Sequence, residues 1–464
     1  MIRLRRLALE NAKNTRNGSI TFNDLESGAS VTGLYGQNGS GKTTVITALQ
    51  ILKTLMEGLP LGNEGIGFIS NETDHAHITA VFDMEEGQAT YEATLEQSEG
   101  KDSRVANETL RIATNDTRER ILISHGINHA ADDMGYRSWM TSPVVQWKSL
   151  RSIGSADDLL FQEETLSWSQ GRSFVFSEQT RQIWKRIKDI AKQQNKPSLS
   201  RAKALADNLT PLAELAEKLA RYARDNMRIV TTRNGSSVSF DYAPISSDGR
   251  RTNMLDISHP VRVRSAYRRQ VERMVHQADQ VMPALVPGLH IQCSTKDVTL
   301  EDGSEGVELF LHSRRNGALI PLWAESEGIR RIIGVLGLLL RMFNEPDVLV
   351  AVDELDSGIF EILLGDLLDV LATRGVGQLI FTAHNLRVLE TLAPASIVFS
   401  TADPGNRFVA AKARESNNLR SMYIRAVSMG GENMVMADRV KQSDIALAFY
   451  QAGTDNTKDN IDAR

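Results

Sequence analysis

A glycine-rich loop near the beginning of the sequence has the residue types and spacing needed to bind a triphosphate. Residues 36–43 fill every position of the pattern G-x-x-x-x-G-K-[ST], whose glycines let backbone N–H groups converge on an anion. The lysine reaches the β- and γ-phosphates, and the hydroxyl after it ligates Mg²⁺. The predicted nucleotide-binding residues are Gly36, Gln37, Asn38, Gly39, Ser40, Gly41, Lys42, Thr43 and Thr44.

Two adjacent carboxylates, Asp353 and Glu354, follow an apolar run at residues 348–352. Such a run is typical of a parallel strand buried on both faces, and ligands of open α/β sheets bind beyond the carboxyl ends of the strands. Asp353 is the predicted Mg²⁺ ligand, together with Thr43, and Glu354 is the predicted group that polarises an attacking water. Taken alone, the pattern is equally that of a core strand that ends in a solvated acidic turn.

Two weaker signals flank these carboxylates. Ser326 and Gly328 form an S-x-G turn before an apolar helix, where N–H groups and a hydroxyl face an anion. His384 follows the apolar stretch at residues 378–382, a place from which it would contact a γ-phosphate or its attacking water. By itself each residue has a plainer and better supported interpretation, as a helix cap and as a capping or core histidine.

The hydropathy pattern predicts the elements that position these side chains. Residues 31–35 form a strand and residues 44–55 a helix around the glycine-rich loop. Residues 178–226 have the pattern of a helical hairpin that breaks near Pro197, because proline cannot continue a helix. Residues 289–323 are predicted as strands around turns, with Asn316-Gly317 as a hairpin signal.

The order Lys42, Ser326, Asp353 and His384 resembles the Walker A, signature, Walker B and switch-histidine order of ABC-type ATPase heads. The resemblance is to the SMC, RecF and OLD branch rather than to transporters, and residues 3–22 resemble the hairpin that precedes the loop in that branch. It implies an α/β fold, a P-loop NTPase ABC-type head with a mixed sheet and an inserted helical hairpin. ATP and Mg²⁺ are the implied ligands.

The resemblance also implies roles for the individual site residues. Lys42, Glu354 and His384 are the expected catalytic residues, while Ser326 and Gly328 would act on the nucleotide of a second copy. A head-to-head dimer or a higher homo-oligomer is therefore the expected assembly. The signature turn, S-E-G-I-R, departs from the L-S-G-G-Q of transporters, which weakens this part of the assignment.

The D-loop and the Q-loop are two further features of such heads. In the stretch DELDSGIFE, the residues Asp356 and Ser357 would belong to a short D-loop. For the Q-loop glutamine there are two weak candidates, Gln88 and Gln146.

Four segments follow from the extent of the resemblance. Residues 1–95 and 285–412 are the two parts of the head, and residues 96–284 are an insertion expected to be largely helical. Residues 413–464 are expected to be a helical tail with a disordered end.

The short D-loop and the short insertion resemble bacterial anti-phage ATPases, first those of PARIS systems and next those of Septu systems. The implied function is a slow, switch-like ATPase that serves as sensor or scaffold and holds a separate nuclease effector. The 80 residues after His384 are too few for the nuclease domain of OLD proteins. The alternative is a RecF- or SMC-like DNA-repair ATPase that clamps DNA when ATP binds. A transporter subunit is the third interpretation, and the large insertion argues against it.

The composition limits the partners. The chain has 53 basic and 58 acidic residues, a formal charge of −5, so no global attraction to nucleic acid is expected. DNA contact stays open through two basic clusters, which are Arg181, Lys185, Arg186 and Lys188, and Arg262, Arg264, Arg268, Arg269 and Arg273. The single cysteine, Cys293, favours a cytoplasmic location. The longest apolar run, residues 332–340, is too short to cross a membrane.

Overall fold

The computed structural model describes most of the chain. The described residues are 1–22, 30–97, 103–115, 117–127, 138–193, 199–231, 237–239, 254–256, 259–411, 419–429 and 448–449. Most of the tail expected at residues 413–464, including its end, lies outside them.

Strands and helices occur in both halves of the chain. The strands are β1 (Ile2–Ala12), β2 (Thr15–Thr21), β3 (Ser30–Tyr35), β4 (His75–Met84), β5 (Gly87–Gln97), β6 (Ser103–Thr114), β7 (Thr117–Ile127), β8 (Trp139–Ser142), β9 (Met227–Val230), β10 (Ser237–Ser239), β11 (Met254–Asp256), β12 (Val261–Arg264), β13 (His290–Thr299), β14 (Glu305–Arg315), β15 (Ala318–Pro321), β16 (Leu349–Val352), β17 (Gln378–Thr382), β18 (Ile397–Ser400) and β19 (Phe408–Ala410). The α-helices are α1 (Lys42–Met56), α2 (Val144–Arg151), α3 (Ala156–Ser169), α4 (Glu178–Gln193), α5 (Leu199–Ala204), α6 (Thr210–Asn226), α7 (Arg268–Leu285), α8 (Glu327–Asn344), α9 (Glu361–Arg374), α10 (Val388–Thr391) and α11 (Leu419–Met429).

A central sheet with the strand order β19-β18-β3-β17-β16-β9 brings the two halves of the chain together. Its strands are parallel, except that β19 runs antiparallel to β18 at the edge. Because β3, β17 and β16 are parallel neighbours, their carboxyl ends meet at one edge of the sheet. The predicted site residues of all three strands follow these ends.

Both faces of the central sheet are buried, because successive side chains of a strand point to opposite faces. On β16, Leu349 and Ala351 belong to one hydrophobic cluster, whereas Val350 and Val352 belong to the other. The first cluster joins the central sheet to α1 and to the helices between α2 and α6. The second joins it to α7, α8 and α9. This two-sided burial explains the unbroken apolar run before Asp353.

An outer antiparallel sheet has the strand order β2-β1-β4-β5-β6-β7-β8. The predicted N-terminal hairpin is formed by β1 and β2, and β1 pairs with β4 on its other side. A smaller sheet is formed by β12, β13, β14 and β15. Its β14–β15 turn has positive φ angles at Asn316 (51°) and Gly317 (80°), as the hairpin signal predicts.

The predicted insertion at residues 96–284 differs from the expectation of a largely helical segment. Strands β6, β7 and β8 extend the outer sheet past residue 95, and β9 forms an edge of the central sheet. The physical reason lies at the edge of β5, whose N–H and C=O groups would face no strand on that side without β6. The segment is therefore part sheet and part helix.

Helices α4, α5 and α6 occupy the residues of the predicted helical hairpin. A π-type turn, Leu205–Leu209, lies between α5 and α6, directly before Pro211 in the first turn of α6. The helical backbone continues from α5 through this turn into α6, and a proline, which has no N–H to donate, is often accommodated next to such an irregular turn. No helix in the described part of the chain is long and apolar enough to cross a membrane.

Candidate functional site

The glycine-rich loop connects the carboxyl end of β3 to the first turn of α1. Gly41 is the N-cap of α1 and has a φ of 98°, a conformation that glycine adopts without strain. Gly39 also has a positive φ, 80°, and a side chain there would extend into open space. At Gly36, in contrast, a Cβ would lie 2.5 Å from the carbonyl oxygen of Ser400, so that position has no room for a side chain.

The Lys42 side chain folds back over the loop that precedes it. Its Nζ donates to the carbonyl oxygens of Gly36 at 2.7 Å and Gln37 at 2.9 Å. Burial lowers the pKa of Lys42, and the nearby carboxylates Asp353 and Glu354 oppose that shift. The amine is thus held at the mouth of the loop, where the sequence places a phosphate contact.

The other predicted loop residues divide into exposed and buried positions. Asn38 and Thr43 are exposed, whereas Ser40 and Thr44 are buried. The backbone N–H of Thr44 donates to Gly41 at 3.1 Å, and the Ser40 hydroxyl has no hydrogen-bond partner among the described residues.

Neighbouring strands hold the loop through contacts that sequence reasoning missed. The Asn14 amide donates to the carbonyl oxygen of Gly39, and the Ser400 hydroxyl donates to that of Ser40. Asn14 lies in the β1–β2 turn and Ser400 at the end of β18. No local pattern marks either residue, because the contacts arise only when the strands assemble.

Asp353 joins three elements at the carboxyl edge of the central sheet. The hydroxyl of Thr43, in α1, lies 3.2 Å from its Oδ1, and the hydroxyl of Thr382, at the end of β17, donates to the same oxygen at 2.7 Å. The carboxylate is 1% exposed, and its Oδ2 has no hydrogen-bond partner among the described residues. Mg²⁺ binds oxygen ligands, of which the protein usually supplies one or two while waters and phosphates supply the others. Thr43 and Asp353 therefore fit a Mg²⁺ ion.

Glu354 has a left-handed backbone, with a φ of 49°, and an exposed side chain. Its N–H donates to the hydroxyl of Thr382 at 2.7 Å. The guanidinium of Arg331, in α8, donates to the carbonyl oxygen of Asp353 at 2.6 Å. Burial lowers the pKa of Arg331, and the carboxylates of Asp353 and Glu354 oppose that shift. Sequence reasoning missed both Thr382 and Arg331.

Ser326 and Gly328 form the start of α8, as the sequence predicts. Ser326 is the N-cap, and its hydroxyl accepts from the N–H of Ile329 at 3.4 Å. Gly328 is pressed against the loop after Glu354, since a Cβ at Gly328 would lie 1.9 Å from the carbonyl oxygen of Gly358. The turn therefore contacts the predicted D-loop within the same chain.

His384 follows β17 and has an exposed side chain. Asp356 lies across from it, and its Oδ2 accepts from the N–H groups of His384 at 2.8 Å and Asn385 at 2.7 Å. The loop after Asp353 and the loop after β17 are thereby joined. Of the predicted Q-loop residues, Gln88 donates to Asp83 in β4, and Gln146 lies in α2.

The two basic clusters differ in how their charges are paired. In the second cluster, Arg262, Arg264 and Arg268 form ion pairs with acidic side chains. In the first, Arg181 pairs with Glu217 of α6. Three lysines of α4 have no ion-pair partner in the described structure and line a groove of about 830 Å³ between α4 and α6; they are Lys185, Lys188 and Lys192. This groove reaches Asp347, at the opposite end of β16 from Asp353.

Comparison with family models identifies the domain. A model described as "AAA domain" matches residues 6–225. A second, described as "AAA domain, putative AbiEii toxin, Type IV TA system", matches residues 145–390, more than half of the chain. The chain belongs to this AAA domain family. Membership implies nucleotide binding, which agrees with the loop from Gly36 to Thr43. The structure of this AAA-domain protein confirms the predicted α/β fold with a P-loop, a mixed sheet and helices at the residues of the predicted hairpin.

Solved structures that are similar to the chain include two Smc head domains. One is the Smc head domain with an extended coiled coil bound to the C-terminal domain of ScpA, derived from Pyrococcus furiosus, at 13% identity and a TM-score of 0.41, over 88% of this chain and 96% of that chain. Another is the Smc head domain with a coiled coil and joint derived from Pyrococcus yayanosii. Its identity is 11% and its TM-score 0.42, over 89% of this chain and 98% of that chain. No curated protein matches the chain in sequence.

Proposed function

We propose that this AAA-domain protein hydrolyses ATP as a slow switch. The observation that carries the proposal is the junction at Asp353, which brings the hydroxyls of Thr43 and Thr382 to one buried carboxylate oxygen. In P-loop proteins this junction holds the metal of a Mg–nucleotide complex. A Mg²⁺ ion held by Thr43 and Asp353 would neutralise the negative charge that develops on the phosphate oxygens.

The side chains around the junction have separate roles in the proposed reaction. The N–H groups of the loop and the amine of Lys42 hold the phosphates, for which the amine exchanges its contacts with Gly36 and Gln37. The exposed carboxylate of Glu354 orients a water and accepts its proton. His384 contacts the γ-phosphate or that water.

A second copy of the chain completes the site in this proposal. Ser326 and Gly328 lie at a helix start, where N–H groups favour an anion, and they would face the nucleotide of the partner in a head-to-head dimer. Two measurements test the enzyme and its assembly. Phosphate release should require ATP and Mg²⁺ together, and light scattering should show a larger particle with ATP than without. A particle of constant mass and no phosphate release would contradict the proposal.

We further propose that the ATPase is the sensor or scaffold subunit of an anti-phage complex that holds a separate nuclease effector in the cytoplasm. The short D-loop predicted at Asp356 and Ser357 and the short helical hairpin support this role. The family description, which names a toxin system, is compatible with it. Co-expression with the product of the neighbouring reading frame tests it. A nuclease that co-purifies and protects cells from phage is the expected result, and a neighbour that encodes a repair protein would contradict it.

DNA clamping is the second candidate, and the lysine face of α4 favours it. Lys185, Lys188 and Lys192 are aligned along one side of the helix and have no acidic partner in the described structure. If they contact phosphates, DNA affinity should fall steeply with salt, and replacing all three by glutamine should flatten that dependence. Binding that is equally strong in the triple variant would exclude this face as the DNA site.

A further inference from the structure

Arg331 is a buried cation to which the proposed ATPase mechanism gives no task. It lies in the first turns of α8, is 5% exposed, and donates through one nitrogen to two backbone oxygens. These belong to Asp353, at 2.6 Å, and Glu354, at 3.4 Å. A buried guanidinium is costly unless it makes strong hydrogen bonds, so its placement against this turn requires an explanation.

The Asp353–Glu354 peptide group is held at both ends. Its carbonyl oxygen accepts from Arg331, and its N–H donates to the hydroxyl of Thr382. The left-handed conformation of Glu354 that follows costs about 1–2 kcal/mol for a residue with a β-carbon. Such a conformation persists only where surrounding contacts impose it, and these two hydrogen bonds come from different elements, α8 and β17.

The start of α8 touches the same loop at a second point. The approach of Gly328 to Gly358 leaves no space for a Cβ on Gly328. Gly328 and Arg331 are one helical turn apart, so both contacts lie on the same side of α8. A displacement of the Ser326–Gly328 turn therefore acts on the loop after Asp353 through two rigid contacts.

We propose that Arg331 is a positioning residue that couples the Ser326–Gly328 turn to the backbone of Glu354 within one protomer. A ligand contact at the turn then changes the orientation of the Glu354 carboxylate in the same chain. In a dimer, occupancy of the partner's site would in this way adjust hydrolysis at the protomer's own site. This coupling rests on the proposed ATPase function, whereas the positioning of the peptide group does not.

Amide hydrogen exchange without nucleotide tests the positioning. The reporters are the N–H groups of Glu354, Leu355 and Ser357. The first two donate to Thr382, and the third donates to the carbonyl oxygen of Glu354. In Arg331→Gln these amides should exchange roughly tenfold faster than in the wild type, and in Arg331→Lys by a smaller factor, since one donor remains. Wild-type exchange in both variants would overturn the proposal.

Arg341→Gln is the matched control for exchange. Arg341 lies in the last turn of α8, far from Ser326, and forms an ion pair with Glu345. Its substitution should leave the three reporter amides unchanged. If Arg331→Gln fails to fold, the Lys variant, which keeps the charge, decides the question by the same measurement.

ATP binding and turnover test the coupling. In Arg331→Lys, the ATP affinity should stay within roughly threefold of the wild type, while kcat falls by about tenfold with KM unchanged. ATP should also alter exchange at Glu354 in the wild type but not in this variant. An unchanged kcat together with a wild-type exchange response would refute the coupling. If the wild type itself does not hydrolyse ATP, the proposed function fails, yet nucleotide-free exchange still decides whether Arg331 positions the peptide group.

Discussion

The hydroxyl of Thr43 lies 3.2 Å from Oδ1 of Asp353, although 310 positions separate the two residues in the chain. One belongs to the first turn of α1 and the other follows β16. The contact exists because β17 lies between β3 and β16 and holds their carboxyl ends side by side.

Lys42→Ala should weaken ATP binding by roughly 100-fold, because a hydrogen bond to a charged group contributes up to about 3 kcal/mol. Isothermal titration with ATP and Mg²⁺ measures the change. Lys148→Ala is the control, since Lys148 is an exposed lysine of α2 and is not part of the loop or of the helix that follows it. Equal affinity in Lys42→Ala and the wild type would remove this lysine from the nucleotide site.

Glu354→Gln should bind ATP normally and hydrolyse it roughly 10²- to 10⁴-fold more slowly, because the amide cannot accept a proton from water. ATP should therefore trap the variant as the dimer, which size-exclusion chromatography with light scattering detects. Glu361→Gln, an exposed carboxylate at the start of α9, is the matched control and should turn over normally. If the dimer fraction of Glu354→Gln is the same with and without ATP, the prediction is wrong.

Asp353→Asn should keep the fold and lose the effect of Mg²⁺ on ATP affinity. The amide oxygen can still accept from the hydroxyls of Thr43 and Thr382, while the negative charge that attracts the cation is gone. Titrations of this variant with ATP should give the same ATP affinity in the presence of Mg²⁺ as in the presence of EDTA. Asp347→Asn is the control, since Asp347 lies at the other end of β16. This variant should keep the wild-type difference in ATP affinity between Mg²⁺ and EDTA.

The buried His125 should make stability sensitive to acid. Burial, and secondarily the charge of Arg151, lower the pKa of His125 to about 3. Between pH 6.5 and 3 the unfolded chain therefore binds the extra proton, and stability falls as the pH is lowered. Burial raises the pKa of Glu164, 3.7 Å away, to about 7. That group has the opposite dependence between pH 4.5 and 7, where stability falls as the pH rises.

Comparison with His125→Gln isolates the histidine from these opposing effects. Urea unfolding between pH 6.5 and 4.5 should show the wild type losing about 1 kcal/mol per pH unit relative to the variant. His276→Gln, an exposed histidine of α7, should follow the wild type. Parallel stability curves for the wild type and His125→Gln would show that this histidine titrates normally in the folded protein.

The site residues that sequence reasoning found are those whose role depends on local chain geometry. The glycine-rich loop requires particular backbone conformations at Gly39 and Gly41, and such requirements appear directly as residue types. Asp353 and His384 were predicted because each follows an apolar strand. The order of the motifs predicted that they converge with Lys42, and the central sheet brings β3, β16 and β17, the strands that precede all three residues, side by side.

Arg331 and Thr382 could not be predicted in the same way. Arg331 interrupts an apolar helix pattern, where a basic residue ordinarily faces solvent, and its burial results from the packing of α8 against the end of β16. Thr382 is the last residue of an apolar strand, and its hydroxyl gains its role only when β17 lies next to β16. Strands β6–β8 were missed for a related reason, since their partner is the edge of β5.

The position of β3 has a consequence for synthesis on the ribosome. Its two neighbours in the sheet are β17 and β18, which begin at Gln378 and Ile397. A growing chain has made the phosphate loop long before it has made either strand that supports that loop. ATP cannot assist folding of the early chain through this site, and a product truncated before Gln378 would expose an unpaired apolar strand prone to aggregate.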